Sequence, residues 1–295
     1  MQPEILHLTP GGPRWPDRFA CLAMPPADLW VRGQVECLAP RRSIAIVGSR
    51  APSAYGLDQA RRFAGHLAAR GITVVSGMAR GIDQAAHSGA LACGGPTIAV
   101  LGSAVDRPWP GYDRLPELLE HGLIVSEFAP GQGPRRHHFP LRNRLIAALA
   151  DAVLVIEAAH ASGSLISAHW AVELGREVFA LPGRVDHPMA QGTLRLLREG
   201  ARAVGSAAQI LTDLGWAGPV LPTDENEALP TEPDAAAIVR ALTGETLDIQ
   251  ELSRRLDRSV PELLGQLCHL QLGGWIARGP GGLYRRLEQG PGPEP

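Results

Sequence analysis

Hydrophobic positions along this chain alternate between two periods. Ser43 to Val47 is a short apolar, β-branched run ending in Gly48-Ser49-Arg50. Leu57, Ala60, Phe63, Ala64, Leu67 and Ala68 then recur at three- and four-residue spacing until Gly71 stops them. That spacing predicts an amphipathic helix. Thr73 to Ser76 is a second buried strand, running into Gly77 and Gly81. Strand, glycine turn, helix and strand make a βαβ unit, which requires a parallel sheet. The alternation continues with a segment around Ile82 to Ala92, a strand at Thr97 to Leu101, a short helix at Leu115 to Glu120 and a strand at Leu123 to Ser126. A helix from Pro140 to Ala150 has proline in its first turn. A strand at Ala152 to Ile156, a helix at Ser164 to Leu174 stopped by Gly175 and a strand at Val178 to Leu181 follow. This is the pattern of a doubly wound α/β domain with a mostly parallel sheet.

The flanks read differently. Residues 1–42 are proline-rich and irregular, a lead-in that packs one strand, Leu29 to Val31, against the main domain at 43–214. From Gly215 to Glu232 Pro, Asp, Glu and Thr dominate, as in a linker. Residues 233–288 predict three short helices (Asp234 to Leu242, Ile249 to Leu256, Ser259 to Leu272) and a hairpin from Trp275 to Arg286. The third helix opens on Ser259-Val260-Pro261-Glu262, a capping-box spacing. Three helices and a hairpin outline a small C-terminal winged helix. Residues 289–295 read as a disordered tail.

Composition fits one large domain with a small appendage: 295 residues, 45% hydrophobic and 20% charged. Met1 to Pro25 carries Glu4 and Asp17 and no apolar run, so no secretory signal is expected. The longest apolar stretch, Leu145 to Ile156, is interrupted by Asp151 and too short to span a bilayer. Cys21, Cys37, Cys93 and Cys268 are scattered, without a C-x-x-C pair, which fits a reducing cytoplasm and argues against structural zinc. Net charge is only −2, but it is segregated. Arg41 to Arg80 holds seven arginines against Asp58 alone, Arg135 to Arg144 holds four and no acid, and Ala203 to Val239 holds six acids and no base. There is no lysine, so a phosphate grip falls to arginine.

Open parallel sheets bind ligands at the carboxyl ends of their strands, where Gly48-Ser49-Arg50 and Ser76-Gly77 lie. A dinucleotide fingerprint needs glycine where Arg50 stands, and a Walker A loop needs lysine. An arginine beside a backbone turn and a helix start suits a phosphate; the alternative is a tight βα turn with Arg50 paired to a carboxylate. Ser162-Gly163-Ser164 opens a helix, where free N–H groups serve an anion or a simple cap equally. Phe139-Pro140-Leu141-Arg142-Asn143-Arg144 sets two arginines and an aromatic at a helix start, as single-stranded nucleic acid asks, or as a core Phe with surface arginines would look. No catalytic set emerges. Asp83, Glu127 and Glu157 fall near strand ends and helix starts, where an acid serves as a general base, caps a helix or pairs with arginine. The third helix of the tail has no cation, so it lacks the usual anchoring of a duplex-reading helix and points to protein contact or an auxiliary role.

Several of these segments together resemble one family. PPADLWVRG, AIVGSRAPSAYG, VVSGMARGIDQAAHSGAL, TIAVLG, SEFAPG, FPLRNRLIAALADAVLVIEA, SGSLISA and GREVFALPG, in this order from about Trp15 to Leu211, are similar to the DNA-processing protein DprA, also called Smf. The resemblance implies an extended Rossmann-like domain that binds single-stranded DNA, forms a homodimer and loads RecA recombinase during natural transformation. It implies no cofactor, no metal and no reaction. Carried over residue by residue, the DNA pocket takes in Gly48, Ser49, Arg50, Ser76, Gly77, Gly81, Phe139, Arg142, Asn143 and Arg144, with Ser162, Gly163 and Ser164 at its margin. Trp109-Pro110 stands where members commonly have Tyr-Pro, the lysines some members use are absent, and no N-terminal helical domain precedes Trp15. The rival reading is a nucleotide phosphoribohydrolase of the LOG family. Its P-G-G-x-G-T-x-x-E loop is replaced here by Ala-Ser-Gly-Ser-Leu-Ile-Ser, without the glutamate.

Overall fold

The computed structural model describes residues 3–216, 230, 232–243 and 245–287. The expected tail at 289–295 and most of the expected linker at 215–232 lie outside the described residues. Contacts divide the chain into two units, Met1–Ala217 and Gly218–Pro295.

The larger unit is built on a nine-stranded sheet. In chain order its strands are β1 (Ile5–Leu8), β2 (Leu29–Gly33), β3 (Ser43–Val47), β4 (Thr73–Ser76), β5 (Thr97–Val100), β6 (Leu123–Ser126), β7 (Ala152–Val155), β8 (Glu177–Ala180) and β9 (Arg202–Ala203). Their spatial order is β1-β2-β6-β5-β4-β3-β7-β8-β9, parallel from β6 to β9 and antiparallel at β2–β6 and β1–β2. Between them run α1 (Ala54–Ala68), α2 (Ile82–Ala92), α3 (Leu115–His121), α4 (His138–Leu149), α5 (Ser164–Glu173), α6 (Gln191–Arg198) and α7 (Ala207–Asp213).

Strands β3 to β7 are buried on both faces, which is why they read as continuous apolar runs. Period-two alternation divides them between two cores. Ala45, Val47, Val100, Val153 and Val155 face α4 and α5 with Phe19 and Leu29, while Ile44, Ile46, Val74 and Leu154 face α1, α2 and α7. The doubly wound, mostly parallel architecture stands as expected. The N-terminal stretch is more regular than its prolines suggest, because β1 and β2 both extend the sheet. The turn at Asp17–Cys21 is tied to the domain by Arg18 on Asp151, 2.8 Å. The region after β8, where no pattern had stood out, forms α6, β9 and α7.

The smaller unit has α8 (Pro233–Ala241), α9 (Ile249–Leu256), α10 (Val260–Leu272) and the antiparallel hairpin β10 (Ile276–Arg278) and β11 (Tyr284–Arg286), with Leu247 bridging to Tyr284. Its core gathers Ile238, Leu252, Leu263, Leu267, Leu270 and Ile276. The Ser259–Glu262 capping box forms as the spacing predicts. On the outer face of α10, Leu264, Cys268 and Leu272 are exposed.

Candidate nucleic-acid interface

β3 leads into Gly48-Ser49-Arg50, β4 into Gly77 to Gly81, β5 into the loop that carries Arg107 and Trp109, and β6 into the loop that carries Arg135 and Arg136. These strands are neighbours in the order β6-β5-β4-β3 and all parallel, so the four loops form one carboxyl edge. Each loop brings an exposed arginine (Arg50, Arg80, Arg107, or Arg135 with Arg136). None of these arginines forms a salt bridge among the described residues. At about 4.8 Å between strands, the four strand ends span roughly 14 Å. Asp106, in the same loop as Arg107, is engaged by the Gly131 N–H at 2.9 Å.

The floor beneath Arg50 is polar and buried. Arg142, 3% exposed, donates to the carbonyl of Val100. Its guanidinium lies against Gly77, where a Cβ would be only 1.9 Å from it, so a larger residue in the β4 turn would displace Arg142. Gly81 has φ +84°, and a Cβ there would approach the Ser49 carbonyl to 2.5 Å. Asp83 accepts from the N–H groups of Gly77 and Ala79 at 3.1 and 3.3 Å. Burial pushes the Asp83 carboxyl up, while Arg142, the two N–H groups and Arg50 hold it down. Burial pulls the Arg142 guanidinium down to about 10, against Asp83, which raises it, and with Arg50, which lowers it further. Arg142 therefore remains a cation at neutral pH. Next to it His87 is fully buried and pulled to about 3 by desolvation and by Arg142. The Thr97 hydroxyl donates to the Val74 carbonyl at 2.8 Å, so it accepts from His87 Nδ1–H at 2.7 Å and leaves Nε2 bare.

The expected residues fall into two groups. Gly48, Ser49, Arg50, Gly77, Gly81 and Phe139 gather at the edge, with the Arg50 guanidinium over the Phe139 ring, 5.2 Å from its centroid. The others build the frame. Arg144 is 3% exposed and holds Glu127 in a two-pronged pair at 2.8 and 2.7 Å, with further bonds to the carbonyls of Met24 and Leu141. Four of its five N–H groups are committed within the protein. Asn143 donates to the Gly163 carbonyl at 3.1 Å, and the Ser76 hydroxyl donates to the Ile46 carbonyl at 2.6 Å. Ser162 and Ser164 bond each other at 2.7 Å, and Ser162 Oγ also accepts from the Ser164 N–H. These positions are enclosed: α4 packs on α5, on β3 and against the Asp17–Cys21 turn, so its polar residues need internal partners.

The point where a doubly wound sheet usually takes a nucleotide, between β3 and β7, is closed from within. Glu157, at the end of β7, accepts from the N–H of Ser53 at 2.9 Å and from its hydroxyl at 2.5 Å, and Ser53 caps α1. A protein carboxylate thus occupies the positive end of the helix where a phosphate would sit. Asp83, Glu127 and Glu157 each have a structural partner: the N–H groups of Gly77 and Ala79 for Asp83, Arg144 for Glu127 and Ser53 for Glu157. Among the described residues no group of three or more His, Cys, Asp or Glu is placed to hold a metal ion. A cavity of about 580 Å³ along α5, lined by Ala168, Val172, Glu177 and Leu196, includes none of the expected site residues.

Missed in the sequence were Arg80 and Arg107 as members of one row, and Trp109, which is 45% exposed with its ring 5.3 Å from that of Phe139.

The model of the family DNA recombination-mediator protein A matches residues 7–215, and that of the DprA winged helix domain matches residues 222–282. The chain belongs to the DNA recombination-mediator protein A family. Protein Smf of Escherichia coli is 39% identical over 289 residues, 95% of this chain and 77% of that protein. The X-ray structure of DNA processing protein A (DprA) from Streptococcus pneumoniae superposes with a TM-score of 0.66 at 35% identity, covering 71% of this chain and 74% of that one. DNA processing protein A from Helicobacter pylori, whose structure describes a single-stranded DNA binding mode, gives 0.65 at 31% identity, over 72% of this chain and 98% of that one. The Rossmann-like domain of this DprA-family chain is accompanied by a winged helix.

Proposed function

We propose that this protein binds single-stranded DNA along the β3–β6 edge, without catalysing a reaction, and acts in the cytoplasm as a homodimer. It protects incoming single strands and loads RecA recombinase on them during natural transformation and recombination. The observation that carries the reading is the row of unpaired arginines, one or two per strand, set beside exposed aromatic surface. Such a row tracks a phosphate backbone, and aromatic rings accept bases of any sequence. The Helicobacter pylori relative, with its single-stranded DNA binding mode, supports the choice of ligand. Carboxylates that serve as caps and pairs, and a nucleotide cleft filled by Glu157, support a non-enzymatic role over a LOG-like hydrolase. No helix among the described residues is long and apolar enough to cross a membrane. Two grooves in a dimer would engage one strand with raised avidity. The winged helix is auxiliary in this reading, since exposed Leu264, Cys268 and Leu272 suit protein contact better than duplex phosphates.

The test is fluorescence anisotropy with matched single- and double-stranded oligonucleotides across a salt series. Single strands bind more tightly, and Arg50→Ala weakens them about tenfold and flattens the salt slope by about 0.7, the share of one phosphate. Unchanged affinity and slope in Arg50→Ala would refute the assignment.

A further inference from the structure

The two aromatic rings at the carboxyl edge are placed for different tasks. Phe139 packs against the end of β5, since a Cβ on Gly102 would lie 2.8 Å from its ring, and the Arg50 guanidinium covers it from above. A ring used in this way orients the arginine by cation–π attraction and has little face left for a base. Trp109 is the reverse. Its backbone is pinned, because its N–H donates to Ser103 Oγ at 3.0 Å and the Ser103 carbonyl accepts from Ser126 Oγ at 2.8 Å. Ser103 is fully buried, and Pro110 beside the tryptophan is buried too. Trp109 is nevertheless 45% exposed, its ring tilted 56° to that of Phe139. A large apolar ring held rigidly in solvent, beside unpaired arginines, is a preorganised binding surface.

We infer that Trp109 is the base-stacking platform of this edge, while Phe139 serves to hold Arg50; this rests on the single-strand reading above. Arg50 takes a phosphate and Trp109 takes a base close by. A base that stacks on the indole leaves its neighbours in the strand to do so. A splayed strand cannot remain paired, which gives the edge a physical reason to reject duplex. Indole offers more π surface than a phenol or phenyl ring, so purines gain more from it than pyrimidines do.

The experiment compares Trp109→Ala, Trp109→Phe and Arg50→Ala in the full chain. Each is titrated against an oligo(dA), an oligo(dT) and an oligonucleotide of the same length with abasic sites throughout. Trp109→Ala weakens oligo(dA) about five- to thirtyfold with an unchanged salt slope, and weakens oligo(dT) less. Trp109→Phe stays within about threefold of wild type, since a smaller ring still stacks. On the abasic strand the Trp109→Ala loss disappears, whereas the Arg50→Ala loss persists. If Arg50→Ala weakens binding while Trp109→Ala does not, the stacking role is overturned and the single-strand reading survives. An equal Trp109→Ala loss on abasic and base-bearing strands would also overturn it, because the ring would then act only through the loop. If neither variant changes affinity, the single-strand reading itself fails.

Discussion

Replacing Arg144 with alanine separates the frame of this site from its binding surface. The Arg144 side chain is 4% exposed and that of Glu127 11%. They meet through two bonds of 2.8 and 2.7 Å, and Arg144 Nε also serves the Met24 carbonyl at 3.0 Å. Removing the arginine strands a buried carboxylate, a loss of about 3–5 kcal/mol. The orphaned Met24 carbonyl adds roughly 1 kcal/mol. With a urea dependence of ~2–3 kcal/mol per molar, the unfolding midpoint falls by about 1–3 M. Arg144→Met combined with Glu127→Leu removes both charges and recovers most of that loss, because neither is left alone. Under conditions where the single variant is still folded, its affinity for single strands stays within about twofold of wild type. Urea titrations followed by circular dichroism, paired with anisotropy on the same samples, read both quantities. A variant as stable as wild type that has lost DNA binding would refute the reasoning and return Arg144 to the phosphate contacts.

Two further outcomes follow from groups near the same edge. His87 is buried in its neutral form, with a folded value of about 3 against an ordinary 6.5, so the unfolded chain binds the proton more readily. Its contribution to stability is complete above pH 6.5 and is lost as pH falls toward 3, by about 2–3 kcal/mol at pH 4.5. Urea midpoints should drop less between pH 7 and 4.5 in His87→Gln than in wild type, and an equal drop in both would contradict this. Incubation with AMP should release no free adenine, because Glu157 fills the α1 terminus and the Ser162 loop lacks the hydrolase glutamate. Adenine released in proportion to the protein, detected by chromatography, would reinstate the enzymatic reading.

The architecture was readable because β3 to β7 are buried on both faces, so each is an unbroken apolar run ended by glycine or a polar residue. β1 was not, since it is a four-residue edge strand that includes His7 and is less buried. α6 was also missed, because its length is short and its exposed face carries Arg195 and Arg198. At the site, the glycine turns and Arg50 were legible from the strand–turn–helix order. The three consecutive polar residues Arg142, Asn143 and Arg144 suggested a solvent face, yet all are buried. Their partners, Val100, Gly163 and Glu127, lie 42, 20 and 17 residues away, and helical periodicity carries no information about such pairings. Trp109 stands in a loop without period, and only the proximity of β5 to the end of α4 shows what it faces. The arginine row is likewise a property of strand order, which places four separate loops side by side.

The most direct test of the account measures single- and double-stranded oligonucleotide binding by the full chain and by a chain ending after Trp216, each with and without Arg50→Ala. The preference for single strands should survive removal of the winged helix, and single-strand affinity should fall about tenfold with Arg50→Ala in both backgrounds. Duplex bound as tightly as single strands, with that binding lost on truncation and untouched by Arg50→Ala, would move the function to the winged helix and contradict it.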